Sequence, residues 1–448
     1  MNGPEETIAA IATPQGKGGV GIVRISGPAS KKIARKISNI DPQPRQACYC
    51  SFRDENGLII DRGILLFFQS PSSYTGEDVV EFQAHGARAT LELLLKECLK
   101  QGARLAGPGE FTERAYHNNR IDLLQAEAVA DLVNSQSIES AQSALRSLEG
   151  EFSDQINQLV LEIEKLRIFT ESALDFPEEE IDFIKESDLD SQIGEASDRV
   201  MTILESARQG RVMLEGASIS IVGVPNVGKS SLLNRLGHSD RAIVSTRPGT
   251  TRDVLDADII VDGIPVRITD TAGIRTTSDD IESEGIERAI KSAQQADLVL
   301  VVKEAGQKQD EEVKTMLGKL ANSIEVINKI DLLDENEKVR LEKETVEQEL
   351  ISAKTGEGID SLRTKISSFL NPGASERSLP GRMRHLEALE LALVELEQAL
   401  HQIRSSHPAA ELVAEDLLRA QHALESITGK TVADDLLGKI FSSFCIGK

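Results

Sequence analysis

The sequence predicts a multidomain protein in which an α/β domain is inserted into a split α-helical domain, behind an α+β N-terminal domain. Three observations carry this prediction. The loop pattern GxxxxGK[ST] occurs near the middle of the 448-residue chain, at Gly223–Ser230, between a strand-like run and the opening of a helix. Strand and helix signals alternate from about residue 216 to 372, which is typical of a parallel sheet. Helical stretches lie on either side of that region.

The predicted α+β domain covers residues 1–118. Apolar β-type runs predict strands at 7–13, 20–25, 58–68 and 78–82, and Asn56-Gly57 is a typical hairpin turn before the third of them. Helical signals cover 28–37 and 87–100. The glycine-rich run 16–21 resembles a dinucleotide-binding fingerprint, but it leads into a strand rather than a helix, so we reject that interpretation.

Two helical segments, 119–215 and 373–448, are predicted to form one domain. The first contains helical runs at 122–134 and 156–172. The second carries an apolar stripe at spacings of three and four, formed by Leu386, Leu389, Leu393, Leu396, Leu400 and Ile403. Such a stripe is expected to be buried, and the helices of the first segment are its expected partners. The acidic stretch 171–188 is predicted to be a solvated bend.

Composition limits the classes of function. Fifty Lys and Arg against 73 Asp and Glu give a net charge of −23, which excludes a general nucleic-acid binder because phosphate neutralisation needs surplus cations. If a nucleic acid is the substrate, a partner is expected to carry much of the contact. The chain shows no transmembrane run and no signal-peptide order, and its four scattered cysteines predict neither a disulfide framework nor a zinc site. The predicted location is therefore cytoplasmic, with no membrane contact.

The inserted domain, 216–372, carries the motifs of a guanine-nucleotide site. Lys229 is predicted to reach the β- and γ-phosphates and Ser230 to ligate Mg²⁺. In Asn328-Lys329-Ile330-Asp331 the asparagine can bond purine N7, and the aspartate accepts the two N–H donors of guanine N1 and N2, which adenine lacks. Ser352-Ala353-Lys354 is the expected further base-side loop. Asp270-Thr271-Ala272-Gly273 would support the metal and offer a backbone N–H to the γ-phosphate.

For the groups that promote hydrolysis, the motifs leave several alternatives. Either Thr250 or Thr251 must close the Mg²⁺ shell. The residue after Gly273 is Ile274, where Ras-like enzymes place a glutamine that orients the attacking water. Candidate cationic helpers are Arg252 and Arg275, and candidate water-orienting carboxylates are Glu282, Glu284 and Glu287, which the residue pattern does not separate.

Several motifs together resemble the MnmE (TrmE) family of tRNA modification GTPases, in the TrmE-Era-EngA-Septin-like superfamily. They are GVPNVGKSSLLN, PGTTRDV, DTAGIR, YTGEDVVEFQAHG, LDFPEEEI and the C-terminal DDLLGKIFSSFCIGK, and they extend over essentially the whole chain. The resemblance implies a folate-binding-like N-terminal domain that dimerises, and a P-loop GTPase domain whose hydrolysis of GTP is K⁺-dependent. It also implies that a carboxymethylaminomethyl or aminomethyl group is added at C5 of the tRNA wobble uridine, with the FAD-dependent partner MnmG. The alternative is a regulatory GTPase switch for ribosome or RNP assembly, which would need neither the N-terminal domain nor the CIGK tail.

The resemblance also implies residue roles. K⁺ bound by Asn226, Ser245, Arg247 and Thr250 would stabilise the transition state in place of the missing glutamine. Mg²⁺ would be held by Ser230 and Thr251, with Glu282 as the catalytic carboxylate. A 5,10-methylene- or 5-formyl-tetrahydrofolate would contact Arg24, Glu81, Arg120 (lysine in most of the family) and Lys448. Cys445 is a candidate reactive thiol, with an incidental cysteine as the alternative. The predicted GTP-binding residues are Asn226, Val227, Gly228, Lys229, Ser230, Ser231, Ser245, Thr246, Arg247, Pro248, Gly249, Thr250, Thr251, Asp270, Thr271, Ala272, Gly273, Asn328, Lys329, Asp331, Ser352, Ala353 and Lys354.

Overall fold

The computed structural model describes residues 6–14, 16–174, 188–224, 226–237, 256–270, 296–306, 322–344, 348–370, 378–405, 409–432 and 434–447. The chain divides into two compact units. The first contains Met1–Ala130, Leu148–Asn157 and Leu424–Lys448, and the second contains Asp131–Ser147 and Gln158–Ala423. The α+β, α-helical and α/β parts of the predicted fold class are all present, so the fold class is confirmed. The predicted domain limits stay predictions.

The first unit is built on a six-stranded sheet in the order β3-β4-β5-β2-β1-β6. Five strands pair antiparallel, and the short β6 (Arg104–Leu105) pairs parallel to β1. The five are β1 (Ile8–Ile11), β2 (Gly18–Ser26), β3 (Cys48–Arg53), β4 (Ile59–Phe68) and β5 (Val79–Gly86). Helices α1 (Ser30–Ser38) and α2 (Arg88–Lys100) pack their apolar residues with Val23, Ile25 and Phe82 in one core. Alternate strand residues supply that core because successive side chains of a strand lie on opposite faces.

Helix α3 (Glu110–His117) is held within the first unit by a half-buried cluster of charges. The Glu110 carboxylate accepts hydrogen bonds from Arg104 at 2.7 Å, Arg114 at 3.0 Å and the Gly107 N–H at 2.8 Å. Burial by itself would raise the pKa of Glu110, but these hydrogen bonds hold it at about 2, below the ordinary 4.5. The stabilisation is therefore fully present above pH 4.5 and is lost as the pH falls through about 2.

The second unit contains a six-stranded sheet in the order β12-β11-β10-β7-β9-β8. Neighbouring strands are parallel, except that β8 and β9 form an antiparallel hairpin. The strands are β7 (Ala217–Val222), β8 (Asp256–Val261), β9 (Ile264–Asp270), β10 (Leu298–Glu304), β11 (Ser323–Asn328) and β12 (Glu349–Leu350). Leu298 to Val301 in β10 are all fully buried, as expected for a central parallel strand covered on both faces.

Helices of the second unit cover this sheet and form a separate helical layer. The sheet core includes apolar residues of α8 (Lys229–Gly237) and α10 (Ile359–Leu370), and α9 (Glu335–Glu344) follows β11 along the chain. The helices α5 (Ile138–Leu148), α6 (Glu151–Leu174), α7 (Leu189–Glu215), α11 (Met383–Ile403) and α12 (Ala410–Thr428) lie wholly or mostly in the second unit. The first unit contains most of α4 (Leu123–Asn134) and all of α13 (Asp434–Ser442). No helix in the described part of the chain is long and apolar enough to cross a membrane.

The predicted apolar stripe lies on α11, which packs along α7. Leu386, Leu389 and Leu396 are buried, whereas Leu393 and Leu400 are half-buried. Ala392 and Ala399 are fully buried beside them. The helix therefore presents small residues at part of its buried face, which lets the two helix backbones come close together.

Candidate functional site

The predicted nucleotide residues that are described lie at one end of the parallel sheet of the second unit. Strands β7, β10 and β11 run parallel, so the loops that follow Val222, Glu304 and Asn328 meet at the same edge. Asp270 ends β9, where it pairs with Ile221. Crevices outside the carboxyl ends of parallel strands are the usual ligand sites of such sheets.

The phosphate-binding loop leads directly into α8, which begins at Lys229. Lys229 is only 7% exposed, and its ammonium group donates to the carbonyl oxygens of Gly223 at 2.6 Å and Val224 at 3.0 Å. Ser230 is exposed in the first turn of the helix. A cation inside a loop at a helix N-terminus, toward which the positive end of the helix dipole points, is suited to bind a polyphosphate.

Asn328 connects the phosphate-binding loop to the predicted base-side loop. Its residue is only 2% exposed. The Nδ2 group donates to the Val227 carbonyl at 2.8 Å, and Oδ1 accepts the Ala353 N–H at 2.9 Å. A β-carbon on Gly228 (φ +95°) would lie 2.3 Å from Nδ2, so the loop requires glycine there. The sequence had suggested a contact with the purine for Asn328 and had missed this connecting role.

Asp331 is oriented by the same base-side loop. The Ser352 hydroxyl, fully buried, donates to Asp331 Oδ1 at 2.7 Å. Asp331 lies in a single 3-10 turn, Ile330–Leu332, that follows Lys329 in a left-handed conformation (φ +68°). The Lys329 ammonium pairs with Glu304 at 2.8 Å. The order of β11, turn and loop thus brings three sequence-predicted elements, 226–230, 328–331 and 352–354, to one place.

Arg235 is a residue of this region that sequence reasoning missed. It lies on α8 and donates from Nη2 to the Lys354 carbonyl at 3.0 Å. In the sequence it is one cation among the apolar residues of SSLLNRLG, a pattern that gives no sign of a partner more than 100 residues away.

A second group of predicted residues lies on the sheet of the first unit. Arg24 on β2 and Glu81 on β5 are register partners, and Nε and Nη2 of the arginine lie 2.9 and 2.8 Å from Glu81 Oε1. The Arg24 guanidinium is also 5.8 Å from the ring centres of Tyr74 and Phe111. Arg120 is exposed, and its stem lies over Gly76, two residues after Tyr74. The segment 74–76 is therefore contacted by both predicted cations.

The C-terminal tail packs against the same unit. Ile446 forms an antiparallel bridge with Pro108, and the Gly109 N–H donates to the Cys445 carbonyl at 3.4 Å. A β-carbon on Gly447 (φ +100°) would lie 2.4 Å from the Ile11 carbonyl oxygen. Cys445 itself is exposed. By contrast, burial and the neighbouring Cys48 raise the pKa of Cys50 to about 11, so that thiol stays protonated at neutral pH.

Several predicted residues lie outside the part of the chain that the structure describes. Within the described ranges, no group of three or more His, Cys, Asp or Glu side chains is arranged to hold a metal ion. The predicted site residues outside the described ranges are Ser245, Thr246, Arg247, Pro248, Gly249, Thr250, Thr251, Arg252, Thr271, Ala272, Gly273, Ile274, Arg275, Glu282, Glu284, Glu287 and Lys448. Most of the predicted acidic bend 171–188 also lies outside them.

Comparison with known proteins gives consistent matches along the chain. A family model described as "MnmE helical domain" matches residues 123–445, and one described as "GTP-binding protein TrmE N-terminus" matches residues 7–120. The chain is 48% identical over 450 residues to the tRNA modification GTPase MnmE of Nitrosomonas europaea, and 46% identical over 451 residues to that of Coxiella burnetii. Each alignment covers 99% of both chains. Among solved structures, Aquifex aeolicus Era bound to GDP and AlF4⁻ is 28% identical, with a TM-score of 0.27, over 43% of this chain and 69% of that one.

Proposed function

This chain belongs to the family of MnmE tRNA modification GTPases, and we propose that it uses GTP hydrolysis to drive modification of the wobble uridine in certain tRNAs. The product is a carboxymethylaminomethyl or aminomethyl group at C5, made together with the FAD-dependent partner MnmG. The observation that carries the proposal is the presence, in one chain, of the guanine-type site on the parallel sheet and of the Arg24–Glu81 site with the cysteine-bearing tail packed on the same unit.

The nucleotide site supports GTP rather than ATP. The Asp331 carboxylate, held by the Ser352 hydroxyl, accepts two N–H donors from guanine N1 and N2. Adenine lacks this donor pair, so it would leave the carboxylate without partners in a desolvated site. Lys229 neutralises the β- and γ-phosphates, and Ser230 in the first turn of α8 supplies a hydroxyl ligand for Mg²⁺, with Thr251 as the second protein ligand.

Hydrolysis in this chain relies on charge neutralisation by a monovalent cation. Ile274 has no group that could orient water, so the charge that develops between the β- and γ-phosphates needs another source of stabilisation. K⁺ supplies that positive charge when bound, and its ligands are Asn226, Ser245, Arg247 and Thr250. Asn226 stands in a left-handed conformation (φ +65°), which asparagine tolerates better than most side chains. Glu282 orients the attacking water.

GTP hydrolysis is expected to be at least about tenfold faster in KCl than in NaCl at equal ionic strength, because a smaller cation cannot contact all the ligands of a K⁺ site. Phosphate release is measured under saturating GTP. Binding of GDP in the two salts serves as the control and should be equal. Equal turnover in KCl and NaCl would rule out the potassium assignment.

The N-terminal site fits a one-carbon tetrahydrofolate. Arg24 and Glu81 offer a cation and a carboxylate on one face of the sheet, bordered by the aromatic rings of Tyr74 and Phe111. The Glu81 carboxylate, with Arg24 beside it, would accept the ring N–H groups of a pterin, and the cations Arg120 and Lys448 would pair with the anionic glutamate tail. When bound, a 5,10-methylene-tetrahydrofolate would supply the one-carbon unit, whereas a 5-formyl group, one oxidation level higher, would have to be reduced first. Cys445 is the exposed thiol that the tail brings to this unit.

Partners complete the proposed enzyme. A net charge of −23 is unfavourable for tRNA binding by this chain alone, so MnmG is proposed to provide much of the phosphate contact. The chain forms a homodimer through its N-terminal domains, and its G domains approach each other during the GTP cycle. The proposed location is the cytoplasm.

Mass spectrometry of tRNA nucleosides tests the biological function. A strain that lacks this protein is expected to lose the C5 modification of its wobble uridines, and the wild-type gene supplied in trans should restore it. The alternative, a switch for ribosome or RNP assembly, predicts intact wobble uridine modification with altered ribosome profiles. Intact modification in the deletion strain would therefore reject the leading proposal.

A further inference from the structure

Arg235 forms a direct connection between the phosphate-binding helix and the base-side loop. Besides its hydrogen bond to the Lys354 carbonyl, its guanidinium group packs closely against Gly356. A β-carbon on Gly356 would be 3.1 Å from Nη2 and 3.3 Å from Cζ, and the residue has a φ of +94°. The guanidinium therefore occupies the space that a side chain at 356 would need.

This placement is not that of a free surface arginine. The Nε atom is buried, and no residue in the described part of the chain offers it a hydrogen-bond acceptor. A buried N–H that has lost water and gained no acceptor is unfavourable. The hydrogen bond to Lys354 and the packing on Gly356 offset this cost. The conformation of the Arg235 side chain therefore depends on the position of the base-side loop.

The loop that Arg235 contacts is held on its other side by the nucleotide motifs. Ala353 donates to Asn328, and Ser352 donates to Asp331. Internal bonds from the N–H of Gly356 to the Ser352 carbonyl, at 2.8 Å, and from the N–H of Thr355 to the Ser352 hydroxyl, at 3.1 Å, keep the loop compact. Displacement of its outer edge would therefore also move the groups that orient Asp331.

We propose that Arg235 is a positioning residue for guanine recognition, which sets the distance between the base-side loop and the helix that carries Lys229. Arg235 lies six residues after Lys229, about 9 Å along the helix axis. It thus joins the phosphate-binding helix to the base-side loop by a contact separate from that of Asn328. The inference rests on the proposed GTP site, and it predicts an effect on nucleotide affinity rather than on the chemical step.

The test compares Arg235→Ala with Arg267→Ala in the full chain. Arg267 is an exposed arginine on β9, paired with Asp258 at 3.1 Å. Its replacement by alanine changes the net charge as much as the replacement of Arg235 does. Without Arg235 the dissociation constant for GDP and the KM for GTP are expected to rise about tenfold, while kcat stays within about twofold. The Arg267→Ala variant should match the wild type in all three quantities. A loss confined to kcat, or unchanged GDP affinity in Arg235→Ala, would overturn the inference.

A second variant keeps the test decisive if Arg235→Ala does not fold. Arg235→Lys retains the charge and one donor to Lys354 but not the planar contact with Gly356. An intermediate rise in the GDP dissociation constant, about threefold, at an unchanged melting temperature supports the inference, and no rise rejects it. Asp331→Asn in the same assay distinguishes failure of the Arg235 proposal from failure of the proposed GTP site. If Asp331→Asn leaves GDP affinity intact, the GTP site itself is wrongly assigned, and the Arg235 proposal fails with it.

Discussion

Asp331→Asn is expected to change the nucleotide specificity of this protein from guanine to xanthine. The carboxylate accepts the two N–H donors of guanine, whereas an asparagine amide presents one donor and one acceptor. Xanthine has a carbonyl at C2 and an N–H at N1, which match that pair. The KM for GTP is expected to rise at least about 100-fold and XTP to become the better substrate, because an unpaired polar group in the site is penalised strongly.

Steady-state hydrolysis of GTP and XTP by both proteins measures this exchange. Asp258→Asn is the matched control, since it removes an exposed carboxylate of the same sheet that pairs with Arg267 and not with the base-side loop. That control should keep the wild-type preference for GTP. If Asp331→Asn hydrolyses GTP with wild-type KM, the carboxylate does not select the base.

The elements around this site could be predicted because local signals determine them. The alternating strand and helix signals of 216–372 predict a strand before the Asn328–Asp331 motif, where β11 (Ser323–Asn328) lies, and the loop pattern predicts the helix that begins at Lys229. Asp331 follows the end of a buried strand, so its position at the sheet edge follows from the parallel topology. Local patterns were sufficient here because each motif is joined directly to the element that positions it.

The contacts between the motifs could not be predicted in the same way. The partners of Asn328 are the Val227 carbonyl, 101 residues earlier, and the Ala353 N–H, 25 residues later. The partner of Arg235 is a carbonyl 119 residues away. Backbone groups carry no signature in a sequence, because every residue except proline offers the same donor and acceptor. Such bonds emerge only when the tertiary structure brings the loops together.

The contacts of the C-terminal tail could not be predicted for the same reason, and they join residues that are still further apart in the sequence. The sequence indicated that Cys445 and Lys448 belong to a functional tail, but only by resemblance to a family. In the structure, Ile446 pairs with Pro108, and Gly447 fits against Ile11 because it has no side chain. Two backbone contacts therefore connect the last residues of the chain to the N-terminal sheet, and neither depends on a side-chain pattern that could be recognised in advance.

Gly210→Ala is expected to destabilise the second unit, although alanine normally stabilises a helix interior. Gly210 lies on α7, and a β-carbon there would be 1.7 Å from the Leu379 carbonyl oxygen. That oxygen belongs to backbone, which cannot move aside as a flexible side chain would. The overpacking should cost about 3 kcal/mol, more than the ~1 kcal/mol of helix propensity gained. The measurement is the melting temperature of the full chain by calorimetry.

Gly194 provides the control within the same helix, because its β-carbon would have nothing within 4 Å. Gly194→Ala should therefore raise the melting temperature, and a similar rise for Gly210→Ala would contradict the close contact.

A second close contact joins the same two segments, because a β-carbon on Gly381 would lie 2.1 Å from the Ala207 carbonyl oxygen. The Leu379 N–H also donates to the Ser206 hydroxyl at 3.0 Å. Helix α7 leads into β7 through Gly216, and the segment 378–382 returns from the α/β sheet to α11. The two chain connections of the α/β sheet are therefore packed backbone against backbone, so a substitution that enlarges either Gly210 or Gly381 is expected to disturb both.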